Sequence, residues 1–145
     1  MHEHRIRRKV EYADTDMSGI VHFSRFLVFM ENAEHSFLKA AGAGVQWRDA
    51  GGREIAWPRV AVSCDYLSPA RYGDELEIRV RVVRKGTRSL TYGLEVLRDG
   101  ATLARGKMTC ACCVLNDPSG IKAISIPKEI ADRIEEAPGG AGREG

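Results

Sequence analysis

The sequence predicts an α+β fold, a long central helix wrapped by a curved antiparallel sheet of about five strands. Three observations predict it. First, between Ser24 and Ala41 the residues Phe26, Met30, Ala33, Phe37 and Ala41 recur at spacings of four, three, four and four, which places them on one helical face. Second, Leu76, Ile78, Val80 and Val82 alternate with Glu75, Glu77, Arg79 and Arg81, the period of a half-buried antiparallel strand, and Leu90, Tyr92, Leu94 and Val96 repeat it. Third, the strand-like runs follow one another with tight-turn residues between them, as in Asp99-Gly100, which favours hairpins over crossovers.

Taken in order, residues 4–12 form a first strand with Ile6, Val10 and Tyr12 on one face. Asp16-Met17-Ser18-Gly19 has the residue preferences of a type I turn. The helix that follows is unusual at its start, because Phe26-Leu27-Val28-Phe29-Met30 is apolar all round and must be buried all round. One sheet cannot enclose every side of it, so at least two copies of the chain are expected. Gly42 and Gly44 stop the helix. Val60, Val62, Cys64 and Tyr66 then share one face of the first of four consecutive strands, expected as a meander. The basic link from Arg84 to Ser89 joins the next two. Asp117-Pro118-Ser119-Gly120 closes the last, and Pro127 opens a short helix to about Glu136. Residues 1–136 make one domain, and 137–145 read as a disordered tail.

Bulk composition narrows the class without naming a role. The chain has 145 residues, 43% of them hydrophobic, and 22 Lys+Arg against 20 Asp+Glu give a net charge of +2. That suits one soluble domain. A near-neutral chain is not a dedicated nucleic-acid binder. No run of roughly 20 apolar residues spans a membrane, and the charged start, with no apolar segment behind it, is not a secretory signal. A cytoplasmic protein is expected. Cys110 and Cys113 have CxxC spacing, yet on a strand they point to opposite faces, and no second pair completes a metal site. Cys64, Cys110, Cys112 and Cys113 are expected as reduced, apolar-packing thiols.

The chemistry concentrates before the helix, in Tyr12-Ala-Asp14-Thr-Asp16-Met-Ser-Gly19-Ile-Val-His22-Phe23-Ser24. The unpaired N–H groups of a helix start can stabilise an oxyanion, and a carboxylate beside them can act as base or nucleophile. The plainer alternative is that Asp14 and Asp16 only form turns and caps, with Ser24 as the helix N-cap. Taken alone, the residues favour that alternative, since Asp-rich turns are common.

The run YADTDMSGIVHFSRFLVFMENAEHSFL, supported by DYLSPARYGDELEIRVRV at 65–82, resembles the signature of the 4-hydroxybenzoyl-CoA thioesterase family of hotdog-fold acyl-CoA thioesterases, including the Tol–Pal-associated type. The likeness covers roughly residues 5–130. It implies a hotdog fold, assembled as homodimers that pair into tetramers, with the active site at the dimer interface. It implies hydrolysis of a coenzyme A thioester to a carboxylic acid and CoA without a further cofactor or metal. Asp16 corresponds to the family's catalytic carboxylate, acting as nucleophile or as base for water. Gly19 matches the motif glycine, Asp14 orders the loop, and the Phe23 amide polarises the thioester oxygen. His22 departs from the pattern, because Tol–Pal-type members place their His at the Phe23 position; it lines the acyl pocket or assists the leaving thiolate. CoA phosphates call for cations, and Lys85, Thr87, Arg88 and Ser89 are the expected contacts, a charged hairpin tip being the equal alternative. Arg59 and Arg71 are weaker candidates, and Arg71 suits tying down its loop. Trp47 and Trp57 are expected on the acyl pocket. Glu31 and His35, one turn apart, are expected to pair or to be solvated. A non-catalytic acyl-CoA or acyl-carrier-protein binder is the competing reading, disfavoured by Asp16, and a hydratase of the same fold is a third.

Overall fold

A computed structural model of the chain describes residues 1–139. Strand β1 (Glu3–Lys9) is followed by a single 3-10 turn (Tyr12–Asp14) and the 18-residue helix α1 (Phe23–Ala40). Two short strands come next, β2 (Gln46–Arg48) and β3 (Glu54–Ala56), then the long strands β4 (Arg59–Tyr66), β5 (Glu75–Lys85), β6 (Ser89–Arg98) and β7 (Ala101–Ala111). β8 (Cys113–Asp117), β9 (Gly120–Ala123) and the one-turn helix α2 (Lys128–Ala131) complete the order. The main sheet has five antiparallel strands in the order β1-β5-β6-β7-β4, and a smaller one runs β2-β3-β8-β9.

α1 lies across the main sheet on the side where the alternating apolar residues point. Leu76, Ile78, Val80 and Val82 from β5 and Leu90, Tyr92, Leu94 and Val96 from β6 are all buried, and they meet Phe29, Met30, Ala33 and Phe37 of the helix. Phe37 packs edge-on against Tyr92, with ring centroids 5.8 Å apart. Gly106 of β7 faces the helix, and a Cβ there would run into Met30 Sδ. The sulfur occupies the space a side chain would need.

The expected alternation and the Asp99-Gly100 hairpin hold. Asp99 and Gly100 both have positive φ, as a two-residue loop closing the Arg98–Ala101 pair requires. The expected meander is corrected at one joint. β4 pairs with β7 at the far edge, because the 67–74 link does not close a hairpin. That link bonds back to the segment before the helix (Val21 N to Ala70 O, Gly73 N to Val10 O, Val10 N to Asp74 O) and so delivers β5 beside β1.

Several boundaries also move. The first strand ends at Lys9, and Tyr12 falls in the 3-10 turn with its ring exposed. The cysteine strand breaks at Cys112, where the chain leaves the main sheet for the small one, so Cys110, Cys112 and Cys113 are all buried rather than facing alternately outward. All four cysteines are free thiols. α2 stops at Ala131 instead of reaching Glu136. Residues 137–138 are not a loose tail: Ala137 is buried and donates to Val82 O at 2.7 Å, and Pro138 O accepts from Arg81. The rest of the expected tail, 140–145, lies outside the described residues.

The helix expected to be hidden on every side is buried at Phe26, Phe29 and Met30 but only half-buried at Leu27 and Val28, and Phe23 is 63% exposed. The edge strand and the residue after it continue this uncovered apolar surface with Val60 (65% exposed), Val62 and Leu67. β4 is tied to the helix at both ends. Its first residue, Arg59, pairs with Glu31 and Glu34 of α1. Its last, Tyr66, reaches the Phe23 carbonyl.

Candidate active site

The segment between the 3-10 turn and α1 is a closed loop. Thr15 and Val21 pair across it, Asp16 N donates to Ile20 O, and Gly19 N donates to Asp16 O. Gly19 has φ +80°, the conformation that lets the turn reverse without strain. The Asp16 carboxylate is half-buried, and its Oδ1 accepts the Ser18 amide at 2.8 Å. Its Oδ2 makes no hydrogen bond to a described residue.

Asp14 occupies a different environment, as expected of a residue that orders the loop. It is fully buried; its carboxylate accepts the Glu11 amide at 2.8 Å and pairs with Arg25 Nη2 at 2.8 Å and Arg8 Nη2 at 3.4 Å. Burial alone would raise its pKa, but the Glu11 amide and the two guanidinium groups outweigh it and hold the carboxyl below the ordinary range. Arg25 stands in the first turn of α1, so this cluster locks the loop to the helix start. The Asp14 carbonyl adds to the lock by accepting His22 N at 2.9 Å.

The helix begins one residue earlier than expected, and His22, not Ser24, is the N-cap. His22 Nδ1 accepts Ser24 N at 3.3 Å and lies 2.7 Å from Ser24 Oγ, while its ring stacks beside Phe23 with centroids 4.5 Å apart. Accepting an amide at Nδ1 assigns the proton of the neutral ring to Nε2. With Ser24 N capped, the Phe23 amide has no partner among the described residues. It is the free donor at the positive end of an 18-residue helix. Asp16, Gly19, His22 and Phe23 thus all lie on the bonded segment that leads into the start of α1.

The expected cation loop is built differently from a free basic tip. Lys85 Nζ donates to Ala131 O at 2.6 Å and Ile134 O at 3.0 Å, holding the C-terminal segment against β5. Gly86 N closes the turn on Ser89 O, Thr87 O accepts Ile126 N, and Arg88 and Thr87 remain exposed. Arg71 serves its loop through backbone pairing with Ile20, with its amide on Asp74 Oδ2. Glu31 pairs with Arg59 at 3.1 Å rather than with His35. Trp57 lines a cavity of about 200 Å³ with Glu34, His35, Leu38 and Arg59, beside the C-terminal half of α1; Trp47 does not line it. Reading residues one by one missed two participants, Arg25 and Tyr66. Neither carries a signal in the sequence, because their partners lie 11 and 43 positions away.

A family model described as the thioesterase-like superfamily matches residues 10–134. The chain belongs to this superfamily. It is 27% identical over 128 residues to the acyl-CoA thioester hydrolase YbgC of Escherichia coli O6:H1, covering 88% of this chain and 92% of that one. Among solved structures, the 1,4-dihydroxy-2-naphthoyl-CoA thioesterase Slr0204 from Synechocystis superposes with a TM-score of 0.79 at 26% identity, covering 90% of this chain and 94% of the other. The 4-hydroxybenzoyl-CoA thioesterase from Pseudomonas sp. strain CBS-3 shares the fold, with a TM-score of 0.75 at 16% identity over 92% of this chain and 99% of that one. The thioesterase-like family and the hotdog architecture expected from the motif are those found. Among the described residues, no helix is long and apolar enough to cross a membrane, and no group of three or more His, Cys, Asp or Glu is placed to hold a metal ion.

Proposed function

We propose that this thioester hydrolase cleaves acyl-CoA to a carboxylic acid and CoA, with Asp16 as the attacking or base-acting carboxylate and the Phe23 amide as the oxyanion donor. The observation that carries the reading is a single juxtaposition. A carboxylate with only one oxygen bonded and a helix-start N–H without a partner, both among the described residues, lie on one internally hydrogen-bonded loop. The donor stabilises charge that develops on the thioester oxygen only in the transition state. Asp16 either attacks the carbonyl carbon, giving an acyl-aspartyl anhydride and CoA thiolate, or removes a proton from the water that attacks. Either route ends with one water consumed. His22, whose Nδ1 is taken up by the cap, assists the departing thiolate with a hydrogen bond from Nε2–H or lines the acyl group.

The exposed apolar surface at Phe23, Val60, Val62 and Leu67 supports assembly through the β4 edge as a homodimer, and pairing of dimers as the larger unit. The Trp57 cavity supports an interface site as well. It abuts Glu34, 11 residues and roughly 16 Å along the helix from Phe23, too far for one small acyl group to touch both within a protomer. CoA phosphates would meet Thr87, Arg88 and Ser89, with Lys85 bracing that loop.

The test is thiol release from a panel of aromatic and aliphatic acyl-CoAs, beside equilibrium binding of the same compounds. Release from at least one of them is expected. Tight binding with no release from any would establish the non-catalytic binder instead.

A further inference from the structure

Tyr66 is the last residue of the edge strand β4, and it makes two contacts with the first turn of α1. Its hydroxyl donates to the Phe23 carbonyl at 2.8 Å, and its ring stands edge-on to Phe26 with centroids 5.4 Å apart. The bond lies outside the helix's own ladder, since a strand residue 43 positions away supplies it. Its place explains its use. The peptide unit that carries the Phe23 N–H is bounded on one side by His22 N, fixed to the Asp14 carbonyl, and on the other by the Phe23 carbonyl, fixed by Tyr66.

Resting on the proposed hydrolase reading, we infer that Tyr66 is a positioning residue that aims the Phe23 amide at the thioester oxygen. Two anchors, one from the Asp14 loop and one from the β4 edge, leave the intervening N–H little freedom to tilt. An oxyanion donor is effective because it is oriented before the charge appears, so freedom to tilt lowers kcat and leaves substrate binding alone. Burial, together with the neighbouring Cys64, pushes the Tyr66 hydroxyl up to about 12, so it keeps its proton and remains a donor throughout the neutral range.

The test is Tyr66→Phe, which keeps the ring on Phe26 and deletes only the donor. The expected result is a kcat lower by about tenfold, a KM within twofold of wild type and an unchanged melting temperature. An independent readout needs no turnover. Losing a hydrogen bond to the Phe23 carbonyl removes the polarisation of that peptide, so the ¹⁵N–¹H signal of Ser24 shifts while helix amides beyond Ala33 do not. A variant with wild-type kcat and an unmoved Ser24 signal overturns the assignment. A kcat that falls only in step with a lowered melting temperature also overturns it, reducing Tyr66 to a packing residue. A wild-type protein that releases no thiol overturns the functional reading itself, a result separable from the others because the Ser24 shift is read without substrate.

Discussion

Asp14 and Asp16 are two residues apart and have the same side chain, yet their surroundings give them separate work. Asp14 is buried among the Glu11 amide, Arg25 and Arg8, which favour its charged form. Its folded pKa lies below the unfolded value of 3.8, so its contribution to stability is present above that value and is lost as pH falls through the folded pKa. Asp14→Asn should therefore destabilise the protein at neutral pH by about 1–3 kcal/mol and flatten the acid limb of its stability curve, as read by urea titration from pH 7 down to 2. A variant whose acid limb matched wild type would place the titrating group elsewhere. Gly106 is a residue whose identity is dictated by a neighbour. Ala at 106 would press into Met30, which is fully buried and has no solvent to swing into, so a cost of about 1–3 kcal/mol is expected. Met30→Ala in the same chain should relieve most of that added cost in a double-mutant cycle.

At the scale of elements, β4 is a strand held to the helix by its two ends. Tyr66 anchors one end; the other depends on Arg59, whose guanidinium meets both Glu31 and the almost fully buried Glu34. Arg59→Ala should cost about 3–5 kcal/mol, because it strands the Glu34 carboxylate in the interior, whereas Arg59→Met together with Glu34→Leu should recover much of that loss. Chemical denaturation of the three proteins decides it: equal stabilities for Arg59→Ala and the double variant would mean the pair is not coupled. This arrangement was not legible in the sequence. The alternation of Val60, Val62, Cys64 and Tyr66 identified a strand, but period-2 reading assumes a buried face, and here the apolar face is the uncovered one. The 67–74 link misled in the same way. The succession of strands suggested a meander, while the backbone of this link is bonded to the loop before the helix, a long-range pairing that no local pattern encodes. By contrast Phe26 to Phe37 and Leu76 to Val82 announced their faces correctly, since both pack on the one core.

For the whole molecule, the local motif around Asp16 and Gly19 was readable because a turn, a glycine of positive φ and a helix start are all short-range features. His22 as the cap and Lys85 as a brace were not, since each depends on which neighbour wins the hydrogen bond. The uncovered surface along Phe23, Val60 and Val62 sets the expectation for the assembly. Light scattering should give at least twice the mass of one chain, and Val60→Lys with Val62→Lys should shift it towards monomer and remove activity together. A fully active monomer would contradict the interface site. The most direct single measurement is the turnover of Asp16→Asn on an acyl-CoA that the wild type hydrolyses. The predicted result is a kcat lower by roughly 10²–10⁴-fold with KM and melting temperature near wild type; a kcat equal to wild type would contradict Asp16 as the reacting carboxylate.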